Sequence, residues 1–373
     1  SGKTFIGDGS TLTALNASNL GSGTVPDARF PATLPAASGT NLTALNASNL
    51  SSGTVATARL GSGTASSSTF LRGDGSWQAV GTGTGETYVK LNVSGALSNS
   101  GSNTFAGYNS GAAIANGAVE NTFYGYYAGN AVTTGDNNCF FGAVAGYLNT
   151  TGGNNTAVGQ DAGRHNVSSS NNTSIGWYAL RLNTAANNTA VGSLALAANT
   201  SGHSNVAVGK DALTANTTAT NNTAVGFDAL KTNTTGQDNV AVGMSPLRAN
   251  TTGGSNTAIN YALYANTTGA NNVGVGTYAL NANTTGAKNV AIGNYALDSN
   301  TTADANTAVG YEALAALTGT GNRNAAFGYQ ALKAATTGWG TVAVGQSAGK
   351  AQTTGTNNVA VGYQALMTNT TGW

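Results

Sequence analysis

Short apolar positions recur at a fixed interval along most of this chain, separated by Gly, Asn and Thr. The repeating unit is N-N-T-A-V-G-x-x-A-L-x-x-N-T-T-G, and it is almost intact in residues 221–236. The glycine after the Ala-Val pair, called the marker here, returns every 16, 17 or 18 residues between Gly107 and Gly362. A period this regular over residues 101–373 predicts a repeat protein in which each unit stacks on its neighbours.

Each unit contains two short strand-like runs, N-T-A-V and x-x-A-L, separated by glycine and closed by the turn sequence N-T-T-G. Asn, Thr and Gly recur too often for a helix interior. One unit alone cannot bury its Val and Leu, whereas stacked units can, each adding about 4.8 Å along the axis. The pattern predicts an all-β fold, a β-roll or β-solenoid of about sixteen 17-residue repeats on the order of 70 Å long.

The position four residues before the marker is Asn in fifteen of sixteen units, with Thr341 as the exception. Identical amides stacked at the spacing of strands can hydrogen-bond along the axis as a ladder. We therefore predict a structural ladder whose central members are Asn155, Asn172, Asn188, Asn205, Asn222, Asn239, Asn256, Asn272, Asn289 and Asn306.

The strand run is apolar at two successive positions, as in Ala157 and Val158. Successive residues of a strand point to opposite faces, and strands that are apolar on both faces are usually covered on both. We expect Val to fill the interior of the roll and the small Ala to contact another chain. This predicts a homotrimer around a central axis, with a single-chain solenoid as the alternative.

Composition supports a thin, repeated core. Charged residues make up 7 % of the chain and the net charge is +1, which argues against a disordered chain and predicts no nucleic-acid partner. The hydrophobic fraction is 40 %, but much of it is Ala. Cys139 is the only cysteine and cannot form an intrachain disulfide. No apolar run approaches the roughly 20 residues of a membrane span, so we expect no membrane insertion.

The signature N-[TS]-x-A-[VI]-G is similar to the head repeats of trimeric autotransporter adhesins, which form left-handed parallel β-rolls in trimers. The 17-residue version with A-L and N-T-T-G resembles repeats of bacteriophage long tail-fibre proteins. The resemblance covers residues 101–373, and Asn260 departs from it by replacing the marker glycine. It implies a fibrous trimer.

The first hundred residues lack the marker. Residues 12–29 recur as 42–59, an offset of 30, and resemble the slender shaft repeats of phage tail fibres. Residues 68–77, which include L-R-G-D-G-S-W, are similar to a junction segment common in those fibres. We therefore divide the chain into a thin trimeric shaft at 1–66, a junction at 67–100 and the β-roll at 101–373.

A row of basic residues lies five positions after the marker and contains six of the nine Lys and Arg of the repeat region. It forms three pairs in consecutive units, whose like charges repel modestly. One hypothesis is that the row binds acidic surface glycans; the alternative is a solvated face that keeps a nearly uncharged rod soluble. Its members are Arg164, Arg181, Lys231, Arg248, Lys333 and Lys350.

No motif predicts catalysis, a cofactor or a metal site. The two histidines, His165 and His203, fall in closing turns, and no Cys/His cluster has metal-ligand spacing. Asp211 and Asp228 occupy equivalent positions in adjacent units, about 5 Å apart by strand spacing, which keeps a polysaccharide depolymerase as a minor alternative. Stacked Thr rows in the N-T-T-G turns keep ice binding as another.

These observations favour a structural tail-fibre segment of a phage or phage-like particle, located in the virion tail outside the cell. It would extend toward the host and help to adhere to its surface. The expected partners are itself as a homotrimer, other tail or baseplate proteins, and a bacterial surface glycan or protein receptor. A cell-surface trimeric adhesin is the alternative.

Overall fold

The computed structural model describes residues 69–71, 77–79, 103–114 and 117–372. The chain divides into two units, residues 1–82 and 83–373. In the first unit, strands β1 (Thr69–Leu71) and β2 (Trp77–Ala79) form an antiparallel hairpin. The shaft expected at 1–66 lies outside the described residues, as does the R-G-D sequence. The junction expected at 67–100 is described only at these two strands.

The described residues of the second unit contain sixteen strands of three residues each, which form one parallel sheet in chain order. They are β3 (Thr104–Ala106), β4 (Thr122–Tyr124), β5 (Cys139–Phe141), β6 (Thr156–Val158), β7 (Thr173–Ile175), β8 (Thr189–Val191), β9 (Val206–Val208), β10 (Thr223–Val225), β11 (Val240–Val242), β12 (Thr257–Ile259), β13 (Val273–Val275), β14 (Val290–Ile292), β15 (Thr307–Val309), β16 (Ala325–Phe327), β17 (Val342–Val344) and β18 (Val359–Val361).

Equivalent residues of consecutive units lie side by side in this sheet. Ala224 of β10, for example, is aligned with Ala207 of β9 and with Ala241 of β11. Each unit is therefore one full turn of a solenoid, which confirms the all-β fold and the predicted repeat of about 17 residues. The described residues include no helix, and so none that is long and apolar enough to cross a membrane.

The prediction that Val fills the interior was wrong. Ala157, at the centre of β6, is 1 % exposed, whereas Val158 is 37 % exposed and points outward. The reason is the narrow interior, which holds about one large side chain per turn. The Leu four residues after the marker, such as Leu230, occupies that space, so the strand centre that shares the interior with it must be small.

The A-L run does not form the second strand expected from the sequence. It lies in a series of turns in which Asp228 and Leu230 have φ of 57° and 52°. Left-handed backbone costs a non-glycine residue on the order of 1 kcal/mol. Full burial of the Leu side chain contributes about 1.5–3 kcal/mol, which offsets this cost. This left-handed conformation could not be predicted from the sequence, because Leu rarely adopts it.

The marker glycines are required by both conformation and space. Gly226 has φ +132°, and a Cβ placed on it would overlap the carbonyl of Gly243 in the next turn. Asn260, the exception, has φ +73°. Most markers therefore cannot carry a side chain without opening the contact between turns.

Phe replaces Leu as the interior side chain in the first turns. Phe123 and Phe140 are buried at strand centres and stack with centroids 4.9 Å apart. The position of the buried Leu is then a glycine, such as Gly146, because a Cβ there would overlap the Phe140 ring. Neither large side chain is present in the turn that pairs Ala157 with Gly163. A small cavity of about 10 Å³ marks this transition between the Phe and Leu cores.

Candidate binding surfaces of the rod

The predicted Asn row forms a continuous hydrogen-bonded chain inside the solenoid. From Asn121 to Thr341, the backbone N–H at this position donates to Oδ1 of the Asn one turn earlier, at 2.8–3.0 Å. Asn222 Nδ2 also donates to the carbonyl of Gly236 in the closing turn, at 2.9 Å. The row therefore joins consecutive turns and closes most of them.

A second buried Asn row was missed in the sequence, where the Asn of N-T-T-G was interpreted only as a turn residue. Asn216 Nδ2 donates to Asn199 Oδ1 at 2.7 Å, and Asn250 Nδ2 donates to Asn233 Oδ1 at 2.8 Å. The signal was present, because this Asn recurs with the same period as the marker. The connected row consists of Asn183, Asn199, Asn216, Asn233, Asn250, Asn266, Asn283 and Asn300.

This second row is interrupted beside the small cavity. Asn183 Nδ2 donates to the carbonyl of Ala185, while Oδ1 of the buried Asn166 accepts no hydrogen bond from the protein. Both polar atoms of the Asn149 side chain are also buried without a protein partner. The connection between turns is therefore weakest where the Phe core meets the Leu core.

The outward side chains of β3–β18 form a surface that we call the strand face. It consists of the first and third residue of each strand, and these are mainly Thr, Val and Ile. Members of the third position that are more than a third exposed include Phe141, Val158, Ile175, Val242, Ile259, Ile292, Phe327, Val344 and Val361. The face is a continuous apolar stripe along the solenoid.

Large exposed side chains also stand at the position directly after the marker, but polar residues interrupt them. Trp177, Phe227, Met244, Tyr311 and Tyr329 are each more than 40 % exposed. Other turns carry Gln160, Ser193, Lys210, Thr277, Asn294 and Gln346 at this position. The strand face is therefore the continuous apolar surface, and contiguous surface of this kind marks a contact with another molecule in most soluble proteins.

The basic row is largely matched by carboxylates two positions after the marker. Lys231 Nζ contacts Asp228 at 3.0 Å and Asp211 of the preceding turn at 3.2 Å. The hydrogen bond to Asp228 is the main cause of the raised pKa of Lys231. Arg248 Nε contacts the other oxygen of Asp228 at 3.1 Å. The side chains therefore alternate in charge along the axis, which removes the repulsion expected between Lys231 and Arg248.

The other two pairs differ from this one. Arg164 contacts Asp161 at 3.1 Å, and the guanidinium of Arg181 lies 4.6 Å from the ring centroid of Tyr178. Lys333 contacts Glu312 at 2.6 Å and lowers the pKa of that carboxyl. Lys350 has no carboxylate partner and no aromatic ring beneath it among the described residues.

The structure also shows the residues of the two minor alternatives. Asp211 and Asp228 both contact the ammonium group of Lys231, so each carboxylate forms an ion pair. Thr217 donates its hydroxyl to the carbonyl of Thr234 at 3.2 Å, and the same bond recurs between many closing turns. These Thr hydroxyls therefore connect turns. No group of three or more His, Cys, Asp or Glu could hold a metal ion within the described residues.

No family model matches this chain, and a search of curated proteins finds none that is significantly similar. The fold and its surface define the class, a parallel β-solenoid of tandem repeats with one apolar strand face.

Proposed function

We propose that this chain is a structural segment of a tail fibre of a phage or phage-like particle, which extends toward the host and helps to adhere to its surface. The observation that carries the proposal is the strand face, an exposed apolar stripe that continues from β4 to β18. A rod with such a stripe along its length is suited to pack lengthwise against copies of itself.

The regular register supports a role in setting distance. All fifteen strand pairings in the second unit are parallel and unshifted, and the Asn rows connect the turns internally. Fifteen steps of about 4.8 Å give a rod of roughly 70 Å. Rods of this kind are stabilised by contacts between neighbouring turns, so their length is set by the number of units.

The size of the strand face fits a second copy of the chain. A stripe of about 70 Å by 10 Å, from strand spacing and three residues per strand, covers on the order of 700 Å². A stable interface buries about 800 Å² per partner. The resemblance of the repeats to those of trimeric fibres favours three copies around one closed axis over a flat dimer.

Electron microscopy with an antibody against residues 101–373 tests this function. We expect gold label on fibres attached to a tail or baseplate in preparations of particles that carry the chain. Label on cell envelopes without such particles would instead support the trimeric adhesin and overturn the tail-fibre proposal.

A further inference from the structure

An open groove lies on the basic row near the C-terminal end of the solenoid. Its volume is about 550 Å³, and it is lined by Lys333, Lys350 and Met367 together with a floor formed by Ala316, Ala334 and Ala351. These residues are five and six positions after their markers, beyond the buried Ala-Leu pair, and so across the interior from the strands. The groove therefore remains open when the strand face is covered.

The groove carries a cation that the protein does not neutralise. Lys333 and Lys350 stand one turn apart, and the carboxylate of Glu312 contacts Lys333 but not Lys350. Glu312 also accepts a hydrogen bond from Gln330 at 2.7 Å. By contrast, Lys231 and Arg248 face two carboxylates. The two ammonium groups and the one carboxylate give a net charge of +1 at the groove. The alanines that line it add an apolar surface next to this charge.

We propose that this groove binds one carboxylated sugar of an acidic surface polysaccharide. The sugar carboxylate would lie between the ammonium groups of Lys350 and Lys333, and the apolar face of the ring would pack on Ala334, Ala351 and Met367. The inference rests on the proposed function and names the ligand class for host adhesion.

The groove chemistry favours a sugar acid over a nucleic acid. Its lining contains no aromatic ring on which a base could stack. The net charge of the whole chain, +1, provides no field that would hold a polyphosphate backbone. The lining alanines offer apolar contacts to a sugar ring, and the two lysines offer donors to its carboxylate.

Binding of one sugar is weak, because ion pairs at an exposed site contribute little. A polysaccharide that reaches the equivalent groove on several copies gains effective concentration without a new contact. The arrangement therefore suits reversible attachment to a glycan-coated surface.

Methyl NMR of the full chain tests the site directly, because its two methionines are Met244 and Met367. With ¹³C-methyl-Met protein and a hyaluronan hexasaccharide as the glucuronate probe, we expect the Met367 signal to shift. Met244, which lies outside the groove, should not shift. Chitohexaose, a neutral hexasaccharide, should move neither signal.

The matched variants are Lys350→Gln and Lys210→Gln, which remove the same charge inside and outside the groove. We expect Lys350→Gln to weaken hexasaccharide binding about three- to tenfold, in line with loss of one charge-assisted contact. Lys210→Gln should bind as the parent does. Equal loss in both variants, equal shifts of Met367 with chitohexaose or a DNA oligonucleotide, or no shift at all would overturn the proposal. A monomeric chain that still binds the hexasaccharide would overturn the trimer and leave the groove intact.

Discussion

Asn239 donates both its backbone N–H and its side-chain amide to Oδ1 of Asn222, at 3.0 and 3.1 Å. Asn222 has the same relation to Asn205 in the turn before, with its amide at 3.3 Å. Both side chains are fully buried. An acceptor that serves two donors from the next turn fixes the register between turns, because a shift by one residue would leave all of them unpaired.

Replacing Asn222 by Ala should destabilise the turns on both sides. The change leaves the backbone N–H and the amide of Asn239 without their acceptor, and each orphaned buried donor costs about 1–3 kcal/mol. We expect faster hydrogen exchange across residues 205–256 and a lower Tm. The control is Gln237→Ala, an exposed position in the same unit, which should leave both unchanged. Equal exchange in the two variants would contradict the structural role of the row.

The cavity between the two cores predicts opposite effects for one substitution at two places. Ala157→Phe places a ring next to Phe140 and over Gly163, where no Leu competes for space. We expect it to be tolerated or to raise Tm. The same change at Ala224 meets Leu230 in an occupied interior, and overpacking of this kind costs about 1–3 kcal/mol or more. The test is the Tm of both variants in thermal unfolding. A lower Tm for Ala157→Phe than for Ala224→Phe would contradict the claim that a Phe at the strand centre fits where no Leu fills the interior.

The ion pair of Glu312 predicts a pH dependence of stability. Its pKa is lowered from the ordinary value near 4.5, first by the hydrogen bond from Lys333 and also by Gln330. A lowered folded-state pKa stabilises the protein above the unfolded pKa, and this contribution is lost as pH falls through the folded value. The side chains of Lys333 and Glu312 are 37 % and 21 % exposed, so solvent partly screens the pair and the effect is small.

We therefore expect the Tm difference between the parent and Glu312→Gln to be positive at pH 7 and to shrink below pH of about 4, where carboxyls become protonated. Glu120→Gln serves as a control for the loss of one carboxylate elsewhere in the solenoid. A difference that stays constant down to pH 3, below the ordinary Glu range, would count against the ion pair as its source.

The strand face predicts which surface holds copies together. Val225→Glu with Val242→Glu places two carboxylates on the apolar stripe in adjacent turns, where association would bury them at high cost. We expect these changes to dissociate the assembly, so that sedimentation velocity shows species of lower mass than the parent. Thr218→Glu with Thr235→Glu adds the same charge at exposed positions of the closing turns and should leave the mass unchanged. The same mass for both double variants would exclude the strand face as the interface.

The sequence predicted the repeat and the stacked strands because marker glycines and Asn residues recur with the period of the fold. It could not decide which of Ala224 and Val225 faces inward, because both are apolar and the alternation of strand residues does not say which face is the inner one. The answer depends on the Leu that shares the interior. In the structure this Leu adopts φ near +50°, a conformation that local propensity disfavours and burial makes acceptable.

The candidate sites were also predicted only in part. The basic row was visible because Lys and Arg recur five positions after the marker. Its neutralisation was only partly visible, since the bonds of Lys231 to Asp211 and of Arg248 to Asp228 join residues twenty positions apart. The groove beside Lys350 depends on three Ala side chains from separate turns, and no local pattern distinguishes them from the other alanines.

The mass of the full chain in solution tests the central claim most directly. Sedimentation equilibrium of residues 1–373 should give three times the chain mass of 36.7 kDa, and this mass should persist in dilute protein. A single-chain mass for a protein that shows the β-sheet signal of the folded rod would contradict the proposal that the strand face joins copies into a fibre.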